Sequence, residues 1–177
     1  EWKRPSAKLE LFEELLDSSL DGGHRMLVFS QFVGMLSILR DRLEERSIDY
    51  CYLDGSTRQR GKVVERFEQS SIPVFLISLK AGGTGLNLTG ADTVLHFDPW
   101  WNPAVESQAT ARAHRIGQKK VVNNYKLIAR QTIEENILKM QSKKQEQLDA
   151  MLESGGHELG KSLAWDEIAA LLDGDLK

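Results

Sequence analysis

Apolar residues along this chain follow two patterns that alternate from beginning to end. In one pattern they recur at helical spacing, and in the other they form short continuous runs, which are typical of strands buried on both faces of a parallel sheet. Helices are predicted at 7–20, 32–46, 58–69, 103–116 and 132–152. Strands are predicted at 26–29, 50–53, 74–77, 93–97 and 121–129.

Strands that alternate with helices predict an α/β sandwich of three layers around a mainly parallel sheet. Thr132 and Glu135 form a capping-box pattern at the start of the last long helix. Because residues 142–147 are wholly polar, the middle of this helix is expected to leave the domain surface. The expected division is a domain at 1–130, a helix at 131–153, and a linker with a short helix at 154–177.

Loops rich in glycine, hydroxyl or basic side chains follow four of the predicted strands. They are Ser30-Gln31, Gly55-Ser56-Thr57, the segment from Lys80 to Asn87, and the segment from Asp98 to Pro103. Ligands of parallel α/β sheets gather at the carboxyl ends of the strands. We therefore expect these four loops to form one functional edge.

The composition is that of an ordinary globular protein. Hydrophobic content is 41% and charged content 28%, and 177 residues suit one domain with a short appendage. The single cysteine, Cys51, excludes an internal disulfide, and its apolar surroundings favour buried packing over a reactive thiol. No apolar run reaches the roughly 20 residues of a membrane helix. The start, Glu1 to Pro5, is neither a signal peptide nor an initiating methionine, which favours a piece of a longer protein.

Charge is distributed unevenly along the chain. The net charge is −3, but residues 98–130 contain six lysines and arginines against two carboxylates. That segment therefore carries +4 and the remainder of the chain −7. A locally basic surface on an acidic protein is a candidate surface for binding phosphate groups.

The predicted helix at 103–116 carries two arginines of this basic segment. A side-chain cap, a proline and a terminal glycine mark its ends, at Asn102, Pro103 and Gly117. Gln108, Arg112 and Arg115 are spaced i, i+4 and i+7, so they are expected to share one face. Small apolar side chains are expected opposite that face, at Ala109, Ala111 and Ala113. The planar guanidinium can hold two phosphate oxygens at once, which favours an anionic partner, and a solvated basic face is the alternative.

The glycine-rich loop at 82–87 matches neither of two familiar phosphate-binding patterns. No Gly-Lys-Ser/Thr sequence follows it, and Leu88 stands where a dinucleotide fingerprint has its third glycine. With Lys80 and its backbone N–H groups, the loop could bind a nucleic-acid backbone without reading bases, or it could be a structural turn. Trp100 and Trp101 leave a similar choice between core packing and an exposed ring that presses on a sugar or base.

Neither metal chemistry nor hydrolytic chemistry is indicated by the remaining residues. The four histidines lack metal-ligand spacing, and with one cysteine no metal site is expected. They are His24, His96, His114 and His157. No Ser/His/Asp set or carboxylate pair stands out for nucleophilic or acid–base catalysis.

Five segments together resemble successive helicase motifs. They are Val28 to Phe32, Leu53 to Thr57, Ser78 to Leu88, Asp98 to Pro103, and Gln108 to Gln118. They are similar to the second RecA-like lobe of the Swi/Snf-type ATPases, the chromatin-remodelling and DNA-translocating branch of helicase superfamily two. The resemblance covers about residues 6–140, and His114 to Gln118 is particularly specific to that branch. The sequence Trp-Trp-Asn-Pro points to bacterial members or to the postreplication-repair type.

The resemblance implies the C-terminal motor lobe of an ATP-dependent translocase on double-stranded DNA. ATP and Mg²⁺ would be held mainly by a first RecA-like lobe that this sequence does not contain. Arg112 and Arg115 match the arginine fingers of the family and Gln108 its leading glutamine, while Gly85 and Asn87 are expected near the nucleotide. The positions implied to contact the DNA backbone are Ser30, Gln31, Gly55, Ser56, Thr57, Lys80, Ala81, Gly82, Gly83 and Trp101. The helix from Thr132 resembles the brace that packs toward the first lobe.

One residue departs from the family pattern, because Ala111 stands where an aspartate usually precedes the first finger. Two other functions remain open at this point, namely a non-catalytic RecA-like binding module and a lobe of an RNA helicase. His114 to Gln118 and the tryptophan pair disfavour the RNA helicase. By itself the chain is expected to be monomeric and inactive toward ATP. Its expected location is the bacterial cytoplasm, associated with the nucleoid, or the eukaryotic nucleus, with no membrane contact.

Overall fold

Five strands and six helices are present in the part of the chain that this computed structural model describes, residues 6–82, 87–113 and 121–153. The strands are β1 (Met26–Ser30), β2 (Tyr50–Leu53), β3 (Val74–Ser78), β4 (Thr93–His96) and β5 (Asn123–Lys126). The helices are α1 (Ala7–Asp21), α2 (Val33–Glu45), α3 (Arg60–Gln69), α4 (Leu79–Gly82), α5 (Pro103–Thr110) and α6 (Ile133–Glu153). No helix within these ranges combines the length and hydropathy of a membrane span.

The strands form one parallel sheet in the order β2-β3-β1-β4-β5. The central strand β1 pairs Phe29 with Ile77 on one side and with His96 on the other. Because all strands run in the same direction, their carboxyl ends lie along one edge of the sheet. The predicted α/β sandwich around a parallel sheet is confirmed.

Apolar side chains cover both faces of the sheet, because successive residues of a strand point to opposite faces. On one face, Phe29 belongs to a buried cluster with Phe67 of α3. On the other face, Val28 belongs to a second cluster with Phe12 of α1. β1 and β3 are buried along their whole length, as their continuous apolar runs predict. Cys51 is 2% exposed, and burial raises the pKa of its thiol, so the packing role predicted for it is confirmed.

Two predicted elements differ in the structure. The segment after β3 begins with the short helix α4 instead of continuing as a loop. The strand predicted at 121–129 is limited to Asn123–Lys126, and all four of its residues are exposed because β5 is the last strand of the sheet. Leu127 still extends the pairing, since its N–H donates to the carbonyl of His96 at 3.0 Å.

α6 begins as the capping pattern indicates, with a different carboxylate. The hydroxyl of Thr132 accepts from the backbone N–H of Glu134 at 3.2 Å. The carboxylate that reaches back belongs to Glu134, which accepts from the N–H of Ala129 at 2.7 Å and pairs with Lys8 of α1 at 2.6 Å. The start of α6 is therefore fixed to the domain.

The middle of α6 stays on the domain surface at least as far as Lys144. Gln141 is 4% exposed and donates to the carbonyl of Trp100. The ammonium nitrogen of Lys144 lies 5.5 Å from the ring centre of Trp101. The expectation that residues 142–147 leave the surface is therefore wrong at Lys144, because a long polar side chain can pack its stem and its charge against an aromatic ring.

Candidate functional site

The loops after β1 and β4 are joined through one carboxylate. Asp98 accepts from the hydroxyl of Ser30 at 2.5 Å and from the backbone N–H of Gln31 at 3.0 Å. Burial raises the pKa of Asp98, while these two hydrogen bonds act in the opposite direction. Ser30 is 0% exposed, so its side chain supports the loop from beneath, whereas Gln31 is partly exposed above it. Sequence reasoning did not assign Asp98 a role, although a carboxylate directly after a buried strand is a usable signal.

The turn after β2 presents its tip to solvent. The carboxylate of Asp54 accepts from the backbone N–H of Ser56 at 2.9 Å and from its hydroxyl at 2.7 Å. The hydroxyl of Thr57 accepts from the N–H of Asp54 at 3.0 Å, which closes the turn. The hydrogen bond from the Ser56 hydroxyl lowers the pKa of Asp54. Gly55 and Ser56 are exposed at the tip of an ordered turn, as a backbone-contacting loop requires.

The segment after β3 divides its predicted DNA contacts between solvent and core. Lys80 is exposed on α4, whereas Ala81 is 1% exposed and belongs to the apolar cluster with Phe67. Gly82 is the last residue of α4. Gly83 and Gly85, which were predicted to contact DNA and nucleotide, lie outside the described residues.

The helix that carries the arginine motif begins as predicted and ends early. Asn102 accepts from the N–H of Ala104 at 3.1 Å, and Pro103 is the first helical residue. α5 ends at Thr110, so the prediction of a helix through residue 116 is wrong. Beyond that point the N–H of Arg112 bonds to the carbonyl three residues earlier, that of Ala109, at 3.1 Å. This tighter turn ends the α-helical repeat.

Gln108 and Arg112, which were predicted to share one face, have different environments. Gln108 is exposed, whereas Arg112 is 4% exposed. Ala111, predicted to lie on the apolar side, is exposed, while Ala113 is buried. The tighter turn rotates Arg112 away from Gln108 by more than α-helical spacing would. Arg115, like His114 and Gly117, lies outside the described residues.

Leu88, which follows the glycine-rich loop, contacts the arginine segment through the backbone. The N–H of Leu88 donates to the carbonyl of Arg112 at 3.1 Å. Asn87, the first described residue after the loop, is exposed beside this junction. The two segments that were separately predicted to face a nucleotide are therefore neighbours in the fold.

The two tryptophans after β4 have different environments. Trp100 is partly buried and packs against the apolar cluster of Phe67, while Trp101 is 36% exposed. Their ring centres are 6.0 Å apart, and the ring planes are tilted by 39°. Trp100 is therefore a core-packing residue, whereas Trp101 presents its ring at the surface.

A closed ring of polar contacts, which sequence reasoning missed, holds the backbone of Trp100. Glu106 accepts from the N–H of Trp100 at 2.6 Å, and Gln141 donates to its carbonyl. Lys126 completes the ring, because it pairs with Glu106 and donates to Gln141 at 3.2 Å. Glu106 is 2% exposed and Lys126 is exposed on β5, so the ion pair joins α5 to β5 at the domain surface, and Gln141 adds α6. A glutamate in the first turn of a helix gives no sequence signal for such a role, because that position is common for acidic residues.

No group of three or more histidine, cysteine or acidic side chains that could hold a metal ion occurs within the described ranges. His24 pairs with Asp92 at 3.0 Å. His96 is fully buried, stacks on Phe29 and shares a hydrogen bond with the hydroxyl of Thr110 at 3.0 Å. Both histidines therefore make contacts that hold parts of the fold together.

Comparison with known proteins gives consistent matches. The model of the helicase conserved C-terminal domain matches residues 7–117. An uncharacterized ATP-dependent helicase of Mycoplasma pneumoniae is 46% identical over 144 residues, which cover 80% of this chain and 14% of that protein. The chromatin-remodeling ATPase INO80 of Emericella nidulans is 45% identical over 154 residues, which cover 85% of this chain and 10% of that protein.

Among solved structures, the C-terminal part of the Fun30 ATPase domain is similar, with a TM-score of 0.74 and 38% identity. The match covers 77% of this chain and 45% of that chain. The chain thus spans a small part of the two curated relatives, which come from a bacterium and a fungus. A bacterial source is therefore not established by these matches.

Proposed function

Because the chain belongs to the helicase conserved C-terminal domain family, in its Swi/Snf-type branch, we propose that it is the C-terminal motor lobe of an ATP-dependent translocase on double-stranded DNA. In this role the chain contacts the duplex backbone with its loops. It also presents arginine fingers to ATP that a first RecA-like lobe holds.

The observation that carries the DNA-binding part is the common edge of the parallel sheet. Four neighbouring strands of the sheet are each followed by one of the candidate segments. In sheet order, these are the turn after β2, α4 after β3, the loop after β1 and the tryptophan pair after β4. Exposed groups on this edge are suited to sugar and phosphate contacts, at Gly55, Ser56, Lys80 and Trp101. Ser30 and Ala81 act from beneath, because both are buried.

The nucleotide-facing residues fit one side of a polyphosphate. Asn87 and Gln108 carry exposed carboxamides, and Arg112, whose backbone carbonyl bonds to Leu88, carries a guanidinium. Such donors suit phosphate and ribose oxygens. ATP supplies the transferable phosphoryl group, and this chain contributes positive charge that stabilises it. Mg²⁺ is assigned to the first lobe, together with most of the contacts to ATP.

Arg115 provides the sharper test of the finger assignment, because Arg112 is buried in this lobe. In the full-length parent, Arg115→Lys should lower steady-state ATP turnover almost as much as Arg115→Ala, by about 10³-fold or more. Lysine keeps the charge but lacks the planar fork. Nucleotide affinity, held mainly by the first lobe, should fall far less, and duplex affinity should be retained. Arg130→Ala is the matched control, since Arg130 is an exposed arginine of the same basic segment.

Near-normal turnover in folded Arg115→Ala would remove the finger assignment. A parent without DNA-stimulated turnover would instead favour the non-catalytic binding module, and stimulation by RNA alone would favour an RNA helicase. The 177-residue chain by itself should not hydrolyse ATP, and its duplex binding should be weak and fall steeply with salt. Salt-independent binding by the chain would contradict backbone contacts.

A further inference from the structure

The exposed ring of Trp101 has a cationic neighbour from a different element. The ammonium nitrogen of Lys144 on α6 lies 5.5 Å from the centre of the Trp101 ring. This distance is within the roughly 6 Å over which a cation is attracted to an aromatic face. Lys144 is partly exposed and Trp101 is 36% exposed, so both remain accessible from solvent.

The segment of α6 that carries Lys144 is held by the polar ring described above. Gln141 precedes Lys144 by three residues, so the two side chains lie on the same face of α6. Gln141 donates to the carbonyl of Trp100 and accepts from Lys126. α6 is therefore held against the tryptophan pair at two successive positions of one face. Because the helix is already held in place, less conformational entropy is lost when its lysine binds a ligand.

The charge of Lys144 is not neutralised by an ion pair within the described residues. The nearby buried carboxylate, Glu106, already pairs with Lys126. An ammonium beside an accessible indole ring offers two contacts to one nucleotide, a charge for the phosphate and a flat apolar face for the sugar or base.

We propose that Lys144 is a further contact for the phosphate backbone of double-stranded DNA, so that the DNA-binding surface extends from the sheet edge onto α6. This inference rests on the proposed function, since it adds a contact to the same surface. It also assigns the polar ring of Glu106, Lys126 and Gln141 a positioning role, which is to hold α6 and the tryptophan pair in one arrangement.

The test measures binding of the 177-residue chain to a fluorescently labelled duplex by anisotropy over a series of salt concentrations. Lys144→Gln should reduce the slope of log affinity against log salt by about 0.9, the value for one lost phosphate contact. Lys144→Arg should restore the slope because it keeps the charge. Lys143→Gln is the matched control, since Lys143 is exposed on a different side of the same helix and should keep the wild-type slope.

Lys80→Gln separates the two proposals, because Lys80 belongs to the sheet edge. If Lys80→Gln lowers the slope and Lys144→Gln does not, the Lys144 contact is overturned and the proposed function stands. Equal reductions of the salt slope in Lys143→Gln and Lys144→Gln would also overturn it. Both lysines would then act through the overall electrostatic potential around the helix, without a specific phosphate contact. If the wild-type chain shows no salt-dependent binding, the proposed DNA contact fails and this inference fails with it.

Discussion

Acidification should destabilise this domain through His96, which is buried at the end of β4. Its ring is 0% exposed, lies 5.6 Å from the ring of Phe29 and shares a hydrogen bond with Thr110. Desolvation lowers the pKa of His96 to about 4. The charge of Glu106 acts to raise this pKa, and that of Lys126 acts to lower it.

The direction and size of the effect follow from this pKa. The ordinary histidine value is 6.5, so between that pH and about 4 the unfolded chain binds more protons at this position than the folded chain. The contribution of neutral His96 to stability is therefore complete above pH 6.5 and is lost as the pH falls toward 4. The difference between the two pKa values corresponds to about 3 kcal/mol.

Urea unfolding near neutral pH and near pH 4 should reveal this loss in the wild-type chain. His96→Phe, which keeps an aromatic ring beside Phe29, should lose about 3 kcal/mol less on acidification. Thr110→Val is the control, because it removes the hydrogen-bond partner and keeps the histidine, so its acid loss should persist. Asp54 has a lowered pKa and Asp98 a raised one. Both residues are present in the wild type and in both variants, so their contributions to the acid loss cancel in the comparison. An equal acid loss in the wild type and in His96→Phe would refute the reasoning.

Two further predictions concern the opposite edge of the sheet. Arg25→Lys should lower the free energy of unfolding by about 2–4 kcal/mol, because the Arg25 guanidinium donates to three backbone carbonyls and lysine cannot match that geometry; an unchanged urea midpoint would contradict this. Gly90→Ala should destabilise by about 1–3 kcal/mol, since a Cβ there would lie 2.6 Å from the Arg25 guanidinium and 3.0 Å from the Glu68 carboxylate, and hydrogen bonds to the backbone hold both groups in place. Gly61→Ala is the matched control: a Cβ at Gly61 on α3 meets nothing within 4 Å, so it should be neutral or stabilise by up to about 1 kcal/mol in the same assay.

The sequence alone determined the fold class and which loops share one edge of the sheet. Continuous apolar runs give β1 and β3, and the alternation with helices gives a parallel sheet, because such runs must be buried on both faces. In a parallel sheet the loops after the strands necessarily share one edge. The cap at Asn102 was also predictable, because a capping side chain acts within two residues of itself.

Only the tertiary structure decided which side chains of the motifs face solvent. Arg112 is buried because the helix ends at Thr110 and because its carbonyl bonds to Leu88, more than twenty residues earlier in the chain. Helical spacing predicts the direction of a side chain only while the helix continues. The sequence therefore identified the motif, but it did not predict that Arg112 is buried.

The polar ring beneath the tryptophan pair was also decided by the tertiary structure. Glu106, Lys126 and Gln141 belong to three different elements, and none of them has a sequence pattern that distinguishes it from a surface residue. Their pairing depends on the packing of α6 against α5 and β5. A sequence specifies the charge and length of such side chains, but which partner each one meets is decided by long-range packing.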